Sequence, residues 1–210
     1  MISILIADDH AILRSGLKEL LVRHLENVVC GEAENAQQAL TQVQQRHWDL
    51  LILDIAMPGR SGLAVLSELK LLQPKLPVLI LSAHPEEQYA KRAIKAGAHG
   101  YLKKESAAEE LINAVRKLLA GNRYVSATQA EQFARDLHSN SQGPAHETLS
   151  AREFEILVMI GLGKTVSQIA EELHLSVTTV STHRARILEK MNMSTTAELM
   201  RYAFRNHLVD

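Results

Sequence analysis

The 210-residue sequence is poor in the residues that staple or decorate small folds: it has one cysteine, five prolines, one tryptophan and only 4% aromatic residues. A lone Cys30 excludes a disulfide framework and any Cys-rich zinc module. Ten histidines are present, but they are scattered and form no His-x-x-x-His pair, so they read as titratable surface groups rather than zinc ligands. Neither sign of charge predominates. Lys and Arg number 23 against 24 Asp and Glu, a net charge of -1. That balance excludes a strongly basic nucleic-acid coat protein and an acidic tail. Long hydrophobic runs are missing as well. The apolar start, residues 1–7, runs at once into Asp8 and Asp9, too short for a signal peptide or a membrane span. The expected location is a reducing cytoplasm, with no membrane attachment. At roughly 100–200 residues per domain, the length allows one large domain or two small ones.

What is present is periodic. Short apolar runs at residues 2–7, 28–31, 50–54, 78–82 and 100–102 alternate with helical spacing. Leu13, Leu17, Leu20 and Leu21 mark one helix; Leu63, Leu66, Leu69 and Leu72 another; Leu111, Val115, Leu118 and Leu119 a further one. Uninterrupted apolar strands between amphipathic helices predict a parallel sheet covered on both faces. Five β-α units therefore occupy residues 1–121, with Gly121 placed to stop the last helix. Residues 122–147 read as a linker. It holds a weaker helix over 127–137, then a polar, Pro- and Gly-containing stretch over 138–146 that predicts flexibility. Residues 148–210 show only helical spacing. Ser150 with Glu153 fits a capping box, Ser176 caps a third helix running to about Met191, and a fourth holds Leu199, Tyr202 and Phe204. The fold class is α/β, followed by a small all-α domain.

Open parallel sheets gather their functional groups at the carboxyl ends of the strands. Those ends carry Asp8 and Asp9, then Asp54, then Ser82, with Lys104 shortly after the fifth strand. Three carboxylates at one edge repel, and a divalent cation relieves them; Mg²⁺ prefers carboxylate oxygens, water and phosphate. An ionised Asp is itself a phosphoryl acceptor. Singly, each residue has an ordinary explanation: Asp8 as a helix cap, residues 54–59 as a turn. Their joint placement on successive strand ends argues for a site.

Ile4-Leu5-Ile6-Ala7-Asp8-Asp9-His10, Asp54 with Met57-Pro58-Gly59, Ser82-Ala83 and Ala96-Gly97-Ala98-His99-Gly100-Tyr101-Leu102-Lys103-Lys104 together resemble the receiver domain of two-component response regulators. The resemblance implies a flavodoxin-like doubly wound sheet of order 2-1-3-4-5. It implies that Asp54 is the phosphoacceptor for a sensor histidine kinase. Asp8, Asp9, Asp54 and the backbone carbonyl of Ala56 would hold Mg²⁺. Lys104 would pair with phosphoryl oxygens, Ser82 would be the switch hydroxyl and Tyr101 the switch aromatic. Ala56 and His84, two residues beyond the acceptor and the hydroxyl, would tune how quickly water removes the phosphoryl group. The surface from about Pro85 to Lys104 is the expected relay.

In the second domain, residues 166–173, a turn at 174–175 and residues 177–191 form a helix-turn-helix pattern. Leu149-Ser150-x-Arg152-Glu153-x-Glu155-Ile156-Leu157, Gly163, Ile169-Ala170-x-x-Leu173 and Ser176-x-x-Thr179-Val180-Ser181-x-His183 resemble the LuxR-type DNA-binding domain. With the receiver, this resembles the NarL/FixJ family of response regulators. At about 100° per residue, Val180, Ile187 and Met191 share a core face, while Thr178, Thr182, Ala185, Arg186 and Glu189 face away, with Ser181 alongside. The DNA-contacting set is therefore Thr178, Ser181, Thr182, His183, Arg184, Arg186 and Lys190. Arg184 is assigned to phosphate with its stem packed; His183 and Lys190 flank the backbone; Thr182 and Arg186 are the candidates for base readout. Family members commonly carry a basic residue where this chain has Ser181.

The function expected is a DNA-binding transcription regulator that is not an enzyme beyond its own phosphoryl transfer and dephosphorylation. Its partners would be the kinase, promoter DNA and RNA polymerase. Phosphorylation would release the third helix from an occluding receiver and promote a homodimer through residues 196–204. The alternative is a DNA-binding regulator that ignores phosphorylation. A phosphatase using Asp54 as nucleophile is disfavoured because Ala56 stands where a second acid is needed, and a quorum-type sensor because aromatics are scarce. Residues 148–210 hold seven basic and seven acidic residues. Few phosphate contacts imply modest affinity for one copy, which a dimer would double.

Overall fold

The structure, a computed structural model, describes residues 1–57, 62–131 and 144–209. The Pro58-Gly59 part of the expected turn, the linker helix beyond residue 131 and residues 138–143 of the polar stretch lie outside the described residues. The chain divides into two compact units, Met1–Ser139 and Asn140–Asp210.

In the first unit, strands β1 (Ile2–Ala7), β2 (Val28–Ala33), β3 (Leu50–Asp54), β4 (Val78–Ser82) and β5 (Gly100–Lys103) form one sheet of order β2-β1-β3-β4-β5. Every pairing is parallel. β3 and β4 are buried throughout, as their unbroken apolar runs require. β2 is an edge strand and only partly buried. It runs two residues past the apolar run, because an edge tolerates Glu32 while the ladder continues from Ile6 opposite Glu32 to Ala7 opposite Ala33. Helices α1 (Ala11–His24), α2 (Ala36–Gln45), α3 (Gly62–Leu72) and α4 (Glu86–Lys95) connect the strands, and α5 (Ala107–Leu119) follows β5. Gly62 starts α3 where a Cβ would lie 2.2 Å from the Ile55 Cα, so only glycine lets the helix approach the end of β3. Gly121, at φ 79°, ends α5, and the Asn122 N–H returns to the Lys117 carbonyl at 3.0 Å. Order reverses between β1 and β3, so the crevice for a ligand opens beside Asp8 and Asp54.

The second unit contains α6 (Ala151–Gly161), α7 (Val166–Glu172), α8 (Val177–Lys190) and α9 (Thr196–Arg205). Ser150–Glu153, Thr165–Gln168 and Thr195–Glu198 close capping boxes, and Ser176 accepts from the Thr179 N–H at the start of α8. Each cap gives orphan N–H groups a partner and so marks where a helix begins. His174, at φ 50°, makes the tight turn between α7 and α8. Phe154, Leu157, Ile169, Val180, Ile187 and Leu199 form the core. Among the described residues, no helix is long and apolar enough to cross a membrane.

Candidate functional site

Three strand ends converge on an acidic pocket. Asp8 and Asp54 are each 1% exposed and Ser82 is fully buried. One ligand atom each from Asp8, Asp9, His10 and Asp54 lie within 4.8 Å of one another. Lys104, just beyond β5, places Nζ 2.7 Å from Asp54 Oδ2 and 2.7 Å from Asp8 Oδ2. The Ala56 N–H donates to Asp54 Oδ1 at 2.9 Å, curling the loop after β3 around the carboxylate. Burial pushes the Asp54 carboxyl up, while Lys104 and the Ala56 N–H pull it down; burial prevails. Burial alone would lower Lys104, but the two carboxylates outweigh it and raise its pKa. Asp8 Oδ2 and Asp9 Oδ1 are buried atoms that accept no hydrogen bond, being met only by the Lys104 and His10 ion pairs. Buried carboxylate oxygens in this state, all hard donors, suit a small divalent cation. Mg²⁺ fits them.

His10 is the member of this set to which the sequence reading assigns no role. Its Nδ1 lies 3.1 Å from Asp8 Oδ1 and 2.9 Å from Asp9 Oδ1. Arg14 is another. Its buried guanidinium donates to the Asp8 carbonyl at 2.7 Å and meets Glu34 at 3.3 Å and Glu32 at 3.5 Å. It pins the turn that carries both acids to the end of β2. The Asp-Asp-His run and an arginine six residues past Asp8 were visible; their geometry was not.

From the end of β4 a line of hydrogen bonds leads away from the pocket. The His84 N–H donates to Ser82 Oγ at 3.1 Å, and the Tyr101 hydroxyl donates to the His84 carbonyl at 2.8 Å. Tyr101 is wholly buried, so the expected switch aromatic points into the fold. The His84 ring stacks on Tyr89 with centroids 4.3 Å apart and planes at 11°.

In the second unit, α8 turns Val180, Ile187 and Met191 inward and exposes Thr178, Thr182 and Arg186. Ser181, His183 and Arg184 are partly buried. His183 Nδ1 and Arg184 Nε are buried nitrogens without a hydrogen bond, and burial holds the His183 pKa below its usual value. Lys190 is engaged inside the unit: Nζ lies 2.6 Å from Oε2 of Glu153, the buried acid of the α6 capping box. Arg152 also works internally, donating to the Leu173 carbonyl at 3.2 Å. Of the expected DNA set, Thr178, Thr182, Arg186 and Lys190 are exposed, Lys190 while also paired to Glu153.

A doubly wound sheet with this acidic pocket, joined to a helix-turn-helix, defines a DNA-binding response regulator. The description "response regulator receiver domain" matches residues 4–116, and "bacterial regulatory proteins, luxR family" matches residues 147–203. The chain belongs to the NarL/FixJ family of response regulators. It is 35% identical to the oxygen regulatory protein NreC of Staphylococcus carnosus over 214 residues, covering 99% of each chain. It is 33% identical to the response regulator GacA of Pseudomonas aeruginosa over 211 residues, covering 100% of this chain and 99% of that one. A structure of RcsB from Salmonella enterica serovar Typhimurium shares the fold, with a TM-score of 0.66, 24% identity and coverage of 96% and 98%.

Proposed function

We propose that Asp54 accepts a phosphoryl group from a sensor histidine kinase and that this modification switches dimerisation and promoter binding. The observation that carries the reading is the Asp54–Lys104 contact of 2.7 Å inside a pocket that also holds Asp8, with Ser82 at the end of the next strand. An Asp54 carboxylate oxygen attacks phosphorus; the new O–P bond forms as the donor's P–N bond breaks and its electron pair returns to the imidazole. Mg²⁺, held by Asp8, Asp9, Asp54 and the Ala56 carbonyl, would neutralise charge on the transferring group. Lys104 is already beside the acceptor to pair with a phosphoryl oxygen, and the Ser82 hydroxyl is the donor for another.

Phosphorylation adds about -1.5 to -2 of charge at Asp54. Ser82 and Lys104 respond to it, and Tyr101 and α4 follow. The reaction remains confined to the protein's own aspartate, so the chain is a regulator and not an enzyme acting on a substrate. Its partners are the kinase, promoter DNA read by α8, RNA polymerase, and a second copy meeting through α9, all in the cytoplasm. Wild type and Asp54→Asn, given Mg²⁺ and a small phosphodonor, are to be compared for phosphorylation, mass in solution and DNA-site selection. The wild type should be modified and become dimeric on DNA; the variant should do neither. An unmodified wild type overturns the reading. Modification without change in mass or affinity favours the phosphorylation-independent alternative.

A further inference from the structure

Beyond α5 the chain returns to the sheet and touches the switch. The Tyr124 N–H donates to the His99 carbonyl at 2.9 Å, and Tyr124 bridges in parallel to Gly100 at the free edge of β5. Two residues on, Ser126 opens a helical turn over 127–131. Its hydroxyl accepts from the Gln129 N–H at 3.1 Å, and its own N–H donates to Gln129 Oε1 at 3.4 Å. The two residues close a capping box at the start of the linker.

Gln129 does more than cap. Its side chain is 3% exposed, an unusual burial for glutamine. With Oε1 turned to Ser126, Nε2 donates to the Tyr101 carbonyl at 3.2 Å and to the carboxylate of Glu86, the first residue of α4. Tyr101 in turn holds the His84 carbonyl through its hydroxyl, and the His84 N–H holds Ser82. An unbroken run of contacts therefore leads from the switch hydroxyl beside Asp54 to the first turn of the linker.

We propose that Gln129 is a positioning residue that ties the linker to Tyr101 and α4 in the unmodified receiver, and that phosphorylation of Asp54 loosens this tie. The inference rests on the phosphoacceptor reading. Its physical basis is that a buried amide keeps its donors satisfied, because leaving one unpaired is costly. When Tyr101 and α4 move, the Gln129 turn either follows them or releases both contacts. Two discrete arrangements of one packed element are what coupling between distant sites requires. Because the tie belongs to the unmodified state, cutting it should free the linker without phosphorylation.

The test uses the full chain as wild type, Gln129→Leu and Ser126→Ala. Beryllofluoride with Mg²⁺ serves as the phosphoryl mimic, and DNA selected by the wild type serves as the ligand. Mimic binding to the receiver and DNA affinity, with and without the mimic, are measured together with thermal unfolding. Gln129→Leu should bind the mimic as the wild type does, yet its DNA affinity without mimic should rise about tenfold, shrinking the gain on loading. Ser126→Ala, which disturbs only the cap, should shift in the same direction by less. Folded variants with a wild-type gain on loading overturn the inference. A Gln129→Leu chain that unfolds leaves the decision to Ser126→Ala, whose unchanged gain also overturns it. A wild type that binds no mimic overturns the phosphoacceptor reading itself, and this inference with it.

Discussion

Lys104 reaches Asp54 across 50 residues of sequence, its Nζ donating to Oδ2 at 2.7 Å. The same ammonium lies 2.7 Å from Asp8 Oδ2, so one cation is shared by two buried carboxylates. Lys104→Met should therefore destabilise the receiver by roughly 3 kcal/mol in a chelator, because both acids keep their burial and lose their partner. Mg²⁺ supplies replacement charge, so it should stabilise Lys104→Met more than it stabilises the wild type. Denaturant unfolding with and without Mg²⁺ measures both effects, and equal stabilisation of the two proteins would count against this role for Lys104.

The His84 ring is fixed by its stacking on Tyr89, two residues past the switch hydroxyl. His84 is expected to tune how quickly water reaches a phosphoryl group on Asp54, and His84→Ala tests that role. The lifetime of phosphorylated protein, followed by loss of label after donor removal, should shorten severalfold; an unchanged half-life removes His84 from that role.

Arg186 and Lys190 both carry positive charge on α8, yet they should behave differently. Both are exposed, but Lys190 also holds buried Glu153 at 2.6 Å. Arg186→Ala should weaken DNA binding and lower the salt slope by about one, leaving the unfolding midpoint in place. Lys190→Ala should cost about 1 kcal/mol or less of stability in the second unit, because Glu153 keeps the Ser150 N–H and water screens the half-exposed ammonium. DNA titrations at several salt concentrations, paired with unfolding curves, separate the two.

The Glu153 pair also sets an acid limit. Burial alone would raise the Glu153 carboxyl, but Lys190 and the Ser150 backbone and hydroxyl outweigh it and hold it below the ordinary 4.5. The unfolded chain then takes up the proton at a higher pH than the folded one. Stability from this group is present above pH 4.5 and is lost as pH falls through the lower folded value. Protection factors of α6 and α8 amides, corrected for the intrinsic exchange rate at each pH, should fall over that interval in the wild type, and the dependence should flatten in Glu153→Gln.

Lys70 gives a pH dependence of the same sign from a different cause. Burial, helped by Arg123, brings its pKa from 10.5 down to about 8. Between those values the unfolded chain binds more protons, so stability of the first unit should rise with pH from about 8 toward 10.5. Lys70→Met should remove that rise from denaturant midpoints measured across the interval.

Much of this was legible in the residues, and the exceptions share a cause. The apolar runs at 2–7, 50–54 and 78–82 coincide with strands β1, β3 and β4, because strands buried on both faces have no polar positions to blur them. The ends of β2 and β5 lay farther on, where a partly exposed edge admits Glu32 and Lys103 without ending the ladder. Arg14 and Gln129 escaped notice because their types are ordinarily exposed, and only the packed structure shows both buried. The Lys190–Glu153 ion pair was not legible because the two residues stand 37 apart in sequence.

By itself, then, the sequence determined the order of elements, the Ser150 and Ser176 caps that begin two of the C-terminal helices, and the arrival of Asp8, Asp54, Ser82 and Lys104 at one edge of a parallel sheet. Period and cap chemistry are local properties of a chain, and parallel topology carries strand ends to a common edge. The tertiary structure alone decided which charges are spent on each other: Lys104 shared between Asp8 and Asp54, Lys190 held by Glu153, Gln129 drawn beneath the switch. Those pairings join residues distant in sequence. Their energies depend on burial and on distances of a few ångströms, which residue type and spacing do not encode.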